Sequence, residues 1–340
     1  MKKILALVLA LAMVATFAAC GKEATAEYKL GMGVVVSLDS SADANAEKGT
    51  DAVAQADSTV ATVILDKDGK VVAADLDCAQ TRVSVDKDGK VTVDGVDLRT
   101  KKEKKEDYNM KGASPIGKEW YEQAAAFVEK MVGKTAADIE AITTEEKNGH
   151  QVATDADLYA ACTMDITAFK AAFVAACNDA QAKTFTAAEG FKLGLGVNTT
   201  VADSTDATED KNATVALYST FLAVAVDADG KVLATIVDAI QPKVEVAKGK
   251  IEAKNYTDTK RGLKEGYNMK GASPIGKEWY EQAAAYTDKM VGKTATDIEA
   301  IATEVKNGHN VATDADLYAV CTMDITSFKA DMVEAINAAK

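Results

Sequence analysis

The sequence predicts an α+β protein made of two tandem repeats, each an antiparallel sheet with helices packed on one face. The first observation is a duplication, because the segment from Tyr108 to Ala126 recurs unchanged from Tyr267 to Ala285. The second is the order of patterns within each copy, where β-rich residues precede helical ones. Helices that cover one face of an antiparallel sheet make an α+β domain.

The duplication sets the predicted domain boundaries. Its period is much longer than that of a solenoid module, so each copy is expected to be a whole domain. We place the first repeat at 27–180 and the second at 190–340.

The strands come first in each repeat. In the first repeat, the apolar runs Val60–Leu65 and Val71–Ala74 flank Asp66-Lys67-Asp68-Gly69. A glycine that closes a four-residue loop favours a hairpin turn, which requires a positive φ. The same letters also open a calcium loop, but Lys70 stands at a ligand position and no glutamate closes the loop. We therefore predict a hairpin here and a mobile loop over the small, polar segment Ser40–Gln55.

The helices follow. Ser114 and Pro115 predict a cap and a first turn, and the first helix then carries a buried stripe. That stripe consists of Trp120, Ala124, Phe127 and Met131. Thr135 to Asp138 has the spacing of a second helix start, and a last helix is expected to begin near Asp165 or Thr167.

The N-terminus carries an export signal. Lys2 and Lys3 precede an apolar run from Ile4 to Phe17, which is too short to span a membrane and is typical of a signal peptide. Ala18-Ala19-Cys20-Gly21 resembles the lipobox of bacterial lipoproteins, in which the cysteine thiol is diacylated. This resemblance implies a signal peptide over residues 1–20 and an anchor in membrane lipid at Cys20. An ordinary secretory signal is the alternative.

Composition excludes several function classes. The formal net charge of −13 disfavours nucleic acid as a partner, since such binders need clustered cations. Only two histidines are present, which disfavours histidine-built metal sites and histidine base catalysis. The cysteines beyond Cys20 allow three pairings that the sequence cannot rank, or none at all: they are Cys78, Cys162, Cys177 and Cys321.

Several motifs of each repeat resemble the FMN-binding domain. A D-G-K hairpin precedes a Ser-Pro-x-Gly loop, at Ser114 to Gly117 and again at Ser273 to Gly276. A second motif, which ends in threonine, follows in each repeat. The two copies of that motif run from Asp157 to Thr163 and from Asp316 to Thr322. Between these ends, Ala160 and Ala161, or Ala319 and Val320, stand where the family has a hydroxyl residue and a glycine.

The resemblance implies a cofactor site. It implies FMN bonded through its phosphate to the side-chain oxygens of Thr163 and Thr322, with the Ser-Pro-x-Gly loops facing the flavin. From the residues alone, a hydroxyl just before a terminal helix lies near unpaired N–H groups that would stabilise a phosphate. The alternative is that Asp165 or Thr167 caps that helix and Thr163 ends a strand.

These motifs together imply a lipid-anchored electron carrier. It would stand at the extracellular face of the cytoplasmic membrane in a Gram-positive envelope, and would pass electrons from a membrane donor to a soluble acceptor. Such a chain is more an electron carrier than an enzyme with its own substrate. The alternative is a flavin-free surface lipoprotein that serves as a ligand-binding or interaction module or an antigen. A third reading makes the signal segment the source of a secreted signalling peptide.

Overall fold

The computed structural model describes residues 25–340 and confirms the α+β class. The signal peptide and Cys20 lie outside the described residues. The first part of the chain contains these elements: β1 (Ala26–Ser37), β2 (Ala52–Leu65), β3 (Val71–Val85), β4 (Val91–Thr92), α1 (Lys101–Lys104), α2 (Trp120–Met131), α3 (Ala136–Glu140), β5 (Thr144–Lys147), β6 (His150–Ala153), α4 (Ala156–Ala161), α5 (Thr167–Cys177) and β7 (Lys183–Ala187).

The same order of helices returns in the second part. It contains these elements: β8 (Lys192–Thr200), β9 (Ala213–Ala216), β10 (Tyr218–Val226), β11 (Val232–Ile240), β12 (Lys243–Ala247), β13 (Lys250–Asn255), α6 (Lys260–Leu263), α7 (Trp279–Met290), α8 (Ala295–Glu299), β14 (Thr303–Lys306), β15 (His309–Ala312), α9 (Ala315–Tyr318) and α10 (Thr326–Ala338). A short 3-10 turn follows α1 at Lys105–Tyr108 and α6 at Lys264–Tyr267.

The two repeats divide their strands differently. Each repeat has a two-stranded sheet, β5-β6 or β14-β15. Besides it, the first repeat has one five-stranded antiparallel sheet in the order β4-β3-β2-β1-β7, whereas the second has two three-stranded sheets, β11-β10-β8 and β13-β12-β9. The continuous strand β3 contains Thr81 where the second repeat has Pro242, between β11 and β12. Proline donates no ladder hydrogen bond and is excluded from the middle of a sheet, which explains the break.

The five-stranded sheet and the β11-β10-β8 sheet bury both faces. Along β2, Ala61 and Val63 face the helices, whereas Val60 and Ile64 point the other way because alternate residues of a strand face opposite sides. The second face packs in cores that combine residues from both repeats. Val60 of β2 and Phe221 of β10 belong to one such core. The order of layers is therefore helices, sheet, sheet, helices, a shared interior that the sequence did not predict.

The opening strand of each repeat lies unusually close to the last helix. A Cβ atom at Gly31 would overlap the carbonyl oxygen of Ala176 in α5, and one at Gly194 would overlap that of Ala335 in α10. Glycine is needed at both positions because only a residue without a Cβ atom allows this approach.

The predicted turns and caps are partly right. Gly69 has a φ of 74°, as expected for the hairpin, and the side chain of Thr135 accepts from the Asp138 N–H to start α3. The predicted start of α2 is wrong, because that helix begins at Trp120 rather than at Pro115. Ser114 instead closes a turn, where its hydroxyl accepts from the N–H of Ile116 at 3.3 Å.

The predicted loop Ser40–Gln55 is shorter than expected and touches the second repeat. Strand β2 already begins at Ala52. The N–H of Ala44 donates to the carbonyl of Gly249 at 2.7 Å, and Asp43 accepts from the N–H of Ile251 at 2.8 Å. These bonds give the polar segment fixed partners that composition alone does not indicate.

A buried ion pair also joins the repeats. The guanidinium of Arg261 in α6 lies 2.5 Å from the carboxylate of Asp179, with both side chains less than a tenth exposed. Asp179 also accepts from the N–H of Met32 at 3.1 Å. The corresponding cation of the first repeat, Lys102, pairs with Asp75 in a more exposed position.

Two further findings concern export and the membrane. Between residues 25 and 340, all four cysteines named above are free. No helix in that range is long and apolar enough to cross a membrane.

Candidate functional site

The structure joins Ser114 and Thr163 through a glutamine. Gln123 of α2 is fully buried, and its side-chain oxygen accepts from the Thr163 N–H at 2.9 Å and from the Thr163 hydroxyl at 3.1 Å. Its amide nitrogen donates to the Ser114 hydroxyl at 3.0 Å and to the Lys118 carbonyl at 3.1 Å. Two segments that the sequence proposed for one site are thus neighbours.

The second repeat has the same arrangement. Gln282 accepts from the Thr322 N–H at 2.9 Å and from its hydroxyl at 3.2 Å, and donates to Ser273 at 2.9 Å. Thr163 and Thr322 are each only 8 % exposed. Both hydroxyls are therefore occupied by a buried glutamine, and neither is free to receive a phosphate as the residues stand.

The other residues of the predicted flavin site lie at the surface. Asp157 and Asp316 are exposed in the first turns of α4 and α9, where neither contacts its threonine through a hydrogen bond in the described structure. Gly117 and Gly276 are exposed at the Ser-Pro-x-Gly turns with φ of 62° and 61°. A Cβ atom at either glycine would meet open space.

A carboxylate lies just before the terminal helix. Asp165 accepts from the Thr167 N–H and from the Gln151 N–H, both at 2.9 Å. Burial would raise the pKa of Asp165, but these two bonds and the nearby His150 outweigh it and hold the pKa below its ordinary value. An anion at this helix start would meet a negative charge. The residue at the cap of the helix is Ile166, whose side chain makes no capping bond, so neither Asp165 nor Thr167 occupies the cap position. Thr163 follows α4 and does not end a strand.

A different site emerges in the second repeat around Lys260. This residue begins a segment that corresponds to the charge run Lys101–Glu106 of the first repeat, and such a run is usually solvated. Lys260 is instead only 7 % exposed. Its Nζ lies 4.7 Å from the ring centre of Tyr267, 4.8 Å from that of Tyr218 and 5.7 Å from that of Trp279.

Lys260 borders a cavity of about 480 Å³, called here the Lys260 cavity. The cavity is lined by Gln241, the segment 254–258, Lys260, Leu263 and Tyr267. Burial lowers the pKa of Lys260 to about 8, although the charges of Asp238 and Asp203 act in the opposite direction. An amine with a lowered pKa on the wall of a cavity is a candidate functional group.

Lys101 of the first repeat provides the contrast. Its Nζ lies 5.1 Å from the Tyr108 ring and 5.8 Å from the Trp120 ring. The position of Tyr218 is taken by Asp57, since Asp57-Ser58-Thr59 corresponds to Tyr218-Ser219-Thr220. Burial would lower the pKa of Lys101, but neighbouring groups that include Cys78, Tyr108 and Asp57 raise it above its ordinary value.

The second repeat also buries an acid. Asp331 of α10 accepts from the Thr220 hydroxyl through one oxygen, while its other oxygen and the Tyr286 hydroxyl have no hydrogen-bond partner. Burial raises the pKa of Asp331 to about 7. The first repeat has Ala172 and Phe127 at these positions, so its core lacks both polar groups.

Sequence reasoning missed these groups for definite reasons. Gln123 lies within the repeated segment and beside the apolar stripe of α2, and a polar residue at that place was the signal that could have found it. Lys260 had no such signal, because a lysine among charged neighbours is usually solvated.

The comparisons with known proteins add no family. No protein-family model matches the chain, and no curated protein or solved structure is significantly similar to it.

Proposed function

We propose that the protein is a lipid-anchored binding module outside the cytoplasmic membrane, and that the Lys260 cavity holds its ligand. The observation that carries this proposal is a lysine amine at the wall of an aromatic-lined cavity. The membrane anchor rests on the lipobox-like residues that end at Cys20, outside the described residues.

The lining favours a small planar acid. Tyr256 and Tyr267 offer ring surfaces on which a planar group can lie. The lining contains two cations, Lys254 and Lys260, and one carboxylate, Asp258, so its charge balance favours an anion. The side-chain amides of Gln241 and Asn255 can donate to further oxygens. A volume of about 480 Å³ is in the range of small-molecule sites.

Tryptophan fluorescence tests this binding. The chain has two tryptophans, so Trp120→Phe leaves Trp279 as the reporter beside Lys260. We expect the Trp279 emission to change on titration with benzoate and to reach a plateau as the site is filled. Lys260→Met in the same background should abolish the response, whereas Lys101→Met, the matched change in the first repeat, should retain it. An unchanged response in Lys260→Met would remove the support for this site.

A flavin-type electron carrier is the second candidate. The observation in its favour is that the Ser-Pro-x-Gly turn and the threonine of each repeat meet at one glutamine, with Gly117 and Gly276 open to solvent. FMN bound there would supply the redox chemistry. To receive its phosphate, the hydroxyl of Thr163 would have to leave Gln123.

Intact-mass spectrometry with a visible spectrum separates the two candidates. Mature protein from a host that exports and flavinylates proteins is compared with a Thr163→Ala, Thr322→Ala double variant. A yellow protein, heavier by two FMN phosphodiesters and colourless in the variant, would establish the carrier. Protein of unmodified mass that fails to bind added FMN would exclude it.

A further inference from the structure

We propose that the Lys260 cavity recognises a carboxylate through the side-chain amide of Gln241, in the way that the first repeat already binds its own Asp57. This inference rests on the proposed binding function and names the residue that reads the ligand. Its basis is a pair of corresponding glutamines, Gln80 and Gln241, whose amide nitrogens have different partners.

In the first repeat the glutamine holds a carboxylate. Gln80 of β3 lies directly opposite Asp57 of β2, and its amide nitrogen donates to one carboxylate oxygen of Asp57 at 2.7 Å. The other oxygen of Asp57 accepts from the Gln55 amide, also at 2.7 Å. The Tyr108 hydroxyl donates to the side-chain oxygen of Gln80 at 3.5 Å. Because an ionised carboxylate can only accept, the nitrogen of Gln80 must be the atom that faces Asp57.

The second repeat keeps the glutamine and lacks the acid. Gln241 corresponds to Gln80, and the Tyr267 hydroxyl donates to its side-chain oxygen at 3.2 Å. Tyr218 stands where the first repeat has Asp57. Gln241 lines the Lys260 cavity, and its amide nitrogen makes no hydrogen bond to any atom of residues 25–340. The donor that binds a carboxylate of the chain in one repeat is therefore open to a ligand in the other.

The charges beside Gln241 favour an anion. The ammonium of Lys260 is held near three aromatic rings, of which that of Tyr267 also lines the cavity. The carboxylate in the lining, Asp258, accepts from the N–H of the next residue at 2.7 Å and lies so close to Gly262 that a Cβ atom there would overlap it. Hydrogen bonds from an amide and an ammonium to a ligand carboxylate are charge-assisted and strong.

Benzoate titration of the full-length mature protein, with Trp279 as the reporter in the Trp120→Phe background, tests the inference. Gln241→Glu keeps the size of the side chain and replaces its N–H donors by an oxygen. We expect benzoate to bind about tenfold to hundredfold more weakly, as when a hydrogen bond to a charged group is lost. Gln241 is exposed, so this variant should fold normally.

Asn255→Asp is the matched control. It adds the same charge to the cavity lining, at an amide that already donates to Glu245 at 3.3 Å. An exposed charge acts only weakly on its neighbours, so benzoate binding should fall by at most about fivefold. Equal losses in Gln241→Glu and Asn255→Asp would overturn the inference.

A second pair of variants brings the carboxylate of the first repeat into the second. Tyr218→Asp reproduces the arrangement of the first repeat, so the introduced carboxylate should bind the Gln241 amide and abolish the benzoate response. Tyr218→Leu removes the same ring without adding an acceptor, and it should keep the response. Equal effects of these two variants would show that loss of the ring ends binding, and would overturn the inference.

The first repeat offers an independent test of carboxylate recognition. Asp57→Ala leaves the amides of Gln80 and Gln55 without their acceptor. Formate matches the deleted group, so it should raise the midpoint of thermal unfolding of this variant above the value in sodium chloride at the same ionic strength. The wild type should show no such difference. An equal response of both proteins to formate would overturn the recognition of a carboxylate by these amides.

The benzoate response of the wild type keeps the two proposals apart. A response that Gln241→Glu leaves unchanged would overturn recognition through the amide and leave the binding function standing. Absence of any benzoate response in the wild type would overturn both.

Discussion

In the first repeat Asp57 stands at the position that Tyr218 occupies beside Lys260 in the second repeat, and the terminal helix buries Ala172 where the second repeat buries Asp331. The elements around these positions recur in the same order. Burial acts to lower the pKa of the lysine in both copies, but neighbouring groups raise the pKa of Lys101 above its ordinary value, whereas the pKa of Lys260 stays lowered. A few substitutions were enough to change the pKa of a buried group without changing the layers around it.

The interface between the repeats is the least symmetric part of the molecule and should give the largest effect. Asp179→Asn leaves Arg261 as an unpaired buried cation, which is expected to lower the free energy of unfolding by about 3–5 kcal/mol. Lys102→Met, at the corresponding position of the first repeat, breaks a more exposed pair and should cost at most about 1 kcal/mol. Urea unfolding measures both, and equal losses would contradict the asymmetry.

The strand–helix contacts are where the repeats should behave alike. Gly31→Ala and Gly194→Ala each force a Cβ atom into a helix carbonyl, and each should lower the free energy of unfolding by about 3 kcal/mol. Gly112→Ala is the control, because a Cβ atom there meets open space and its effect should stay within about 0.5 kcal/mol. If thermal unfolding showed a loss of stability for only one of these two variants, the two strand–helix contacts would not be equivalent.

The buried glutamines should also be equivalent. Gln123→Leu leaves the Thr163 N–H and hydroxyl without their acceptor, and Gln282→Leu does the same to Thr322. An unsatisfied buried group costs about 2 kcal/mol, so similar losses are expected in urea unfolding. If one of these variants has the same free energy of unfolding as the wild type, a water molecule must take the place of the glutamine oxygen as the acceptor for that threonine.

The buried acid of the second repeat should give an effect that depends on pH. The pKa of Asp331 is raised from 3.8 to about 7, so the folded chain keeps a proton that the unfolded chain has lost. Its contribution to stability is fully present below the lower value and is lost as the pH rises toward 7, by about 1.4 kcal/mol per pH unit.

Asp331→Asn isolates this contribution. The difference in unfolding free energy between wild type and variant should follow the expected slope over that range, whereas Asp316→Asn, at an exposed carboxylate, controls for the loss of one charge. Parallel curves for wild type and Asp331→Asn would show that Asp331 does not titrate in this way.

The sequence predicted the helical half of each repeat well. The stripe from Trp120 to Met131 is buried as expected, and Trp120 packs edge-on against Phe169 with ring centres 5.8 Å apart. Local spacing decides which face of a helix is apolar, so these features could be read directly. The start of that helix could not be predicted in this way. Glu119 takes the capping position, and its carboxylate also accepts from the distant Met110 N–H at 2.8 Å.

The candidate sites were only partly predictable. Ser114 and Thr163 were identified as neighbours of one site, and they do meet, but through Gln123, whose partner forty residues away is invisible to local patterns. The flavin and the lipid anchor remain predictions.

By itself, the sequence determined the duplication, the α+β class, the hairpin turns and the apolar faces, because each depends on residues close together in the chain. Only the tertiary structure decided that the two sheets share an interior, that Arg261 meets Asp179 across it, and that Lys260 is dehydrated among aromatic rings. Desolvation depends on which distant residues surround a group, and the pKa of Lys260 therefore belongs to the fold and not to its neighbours in sequence.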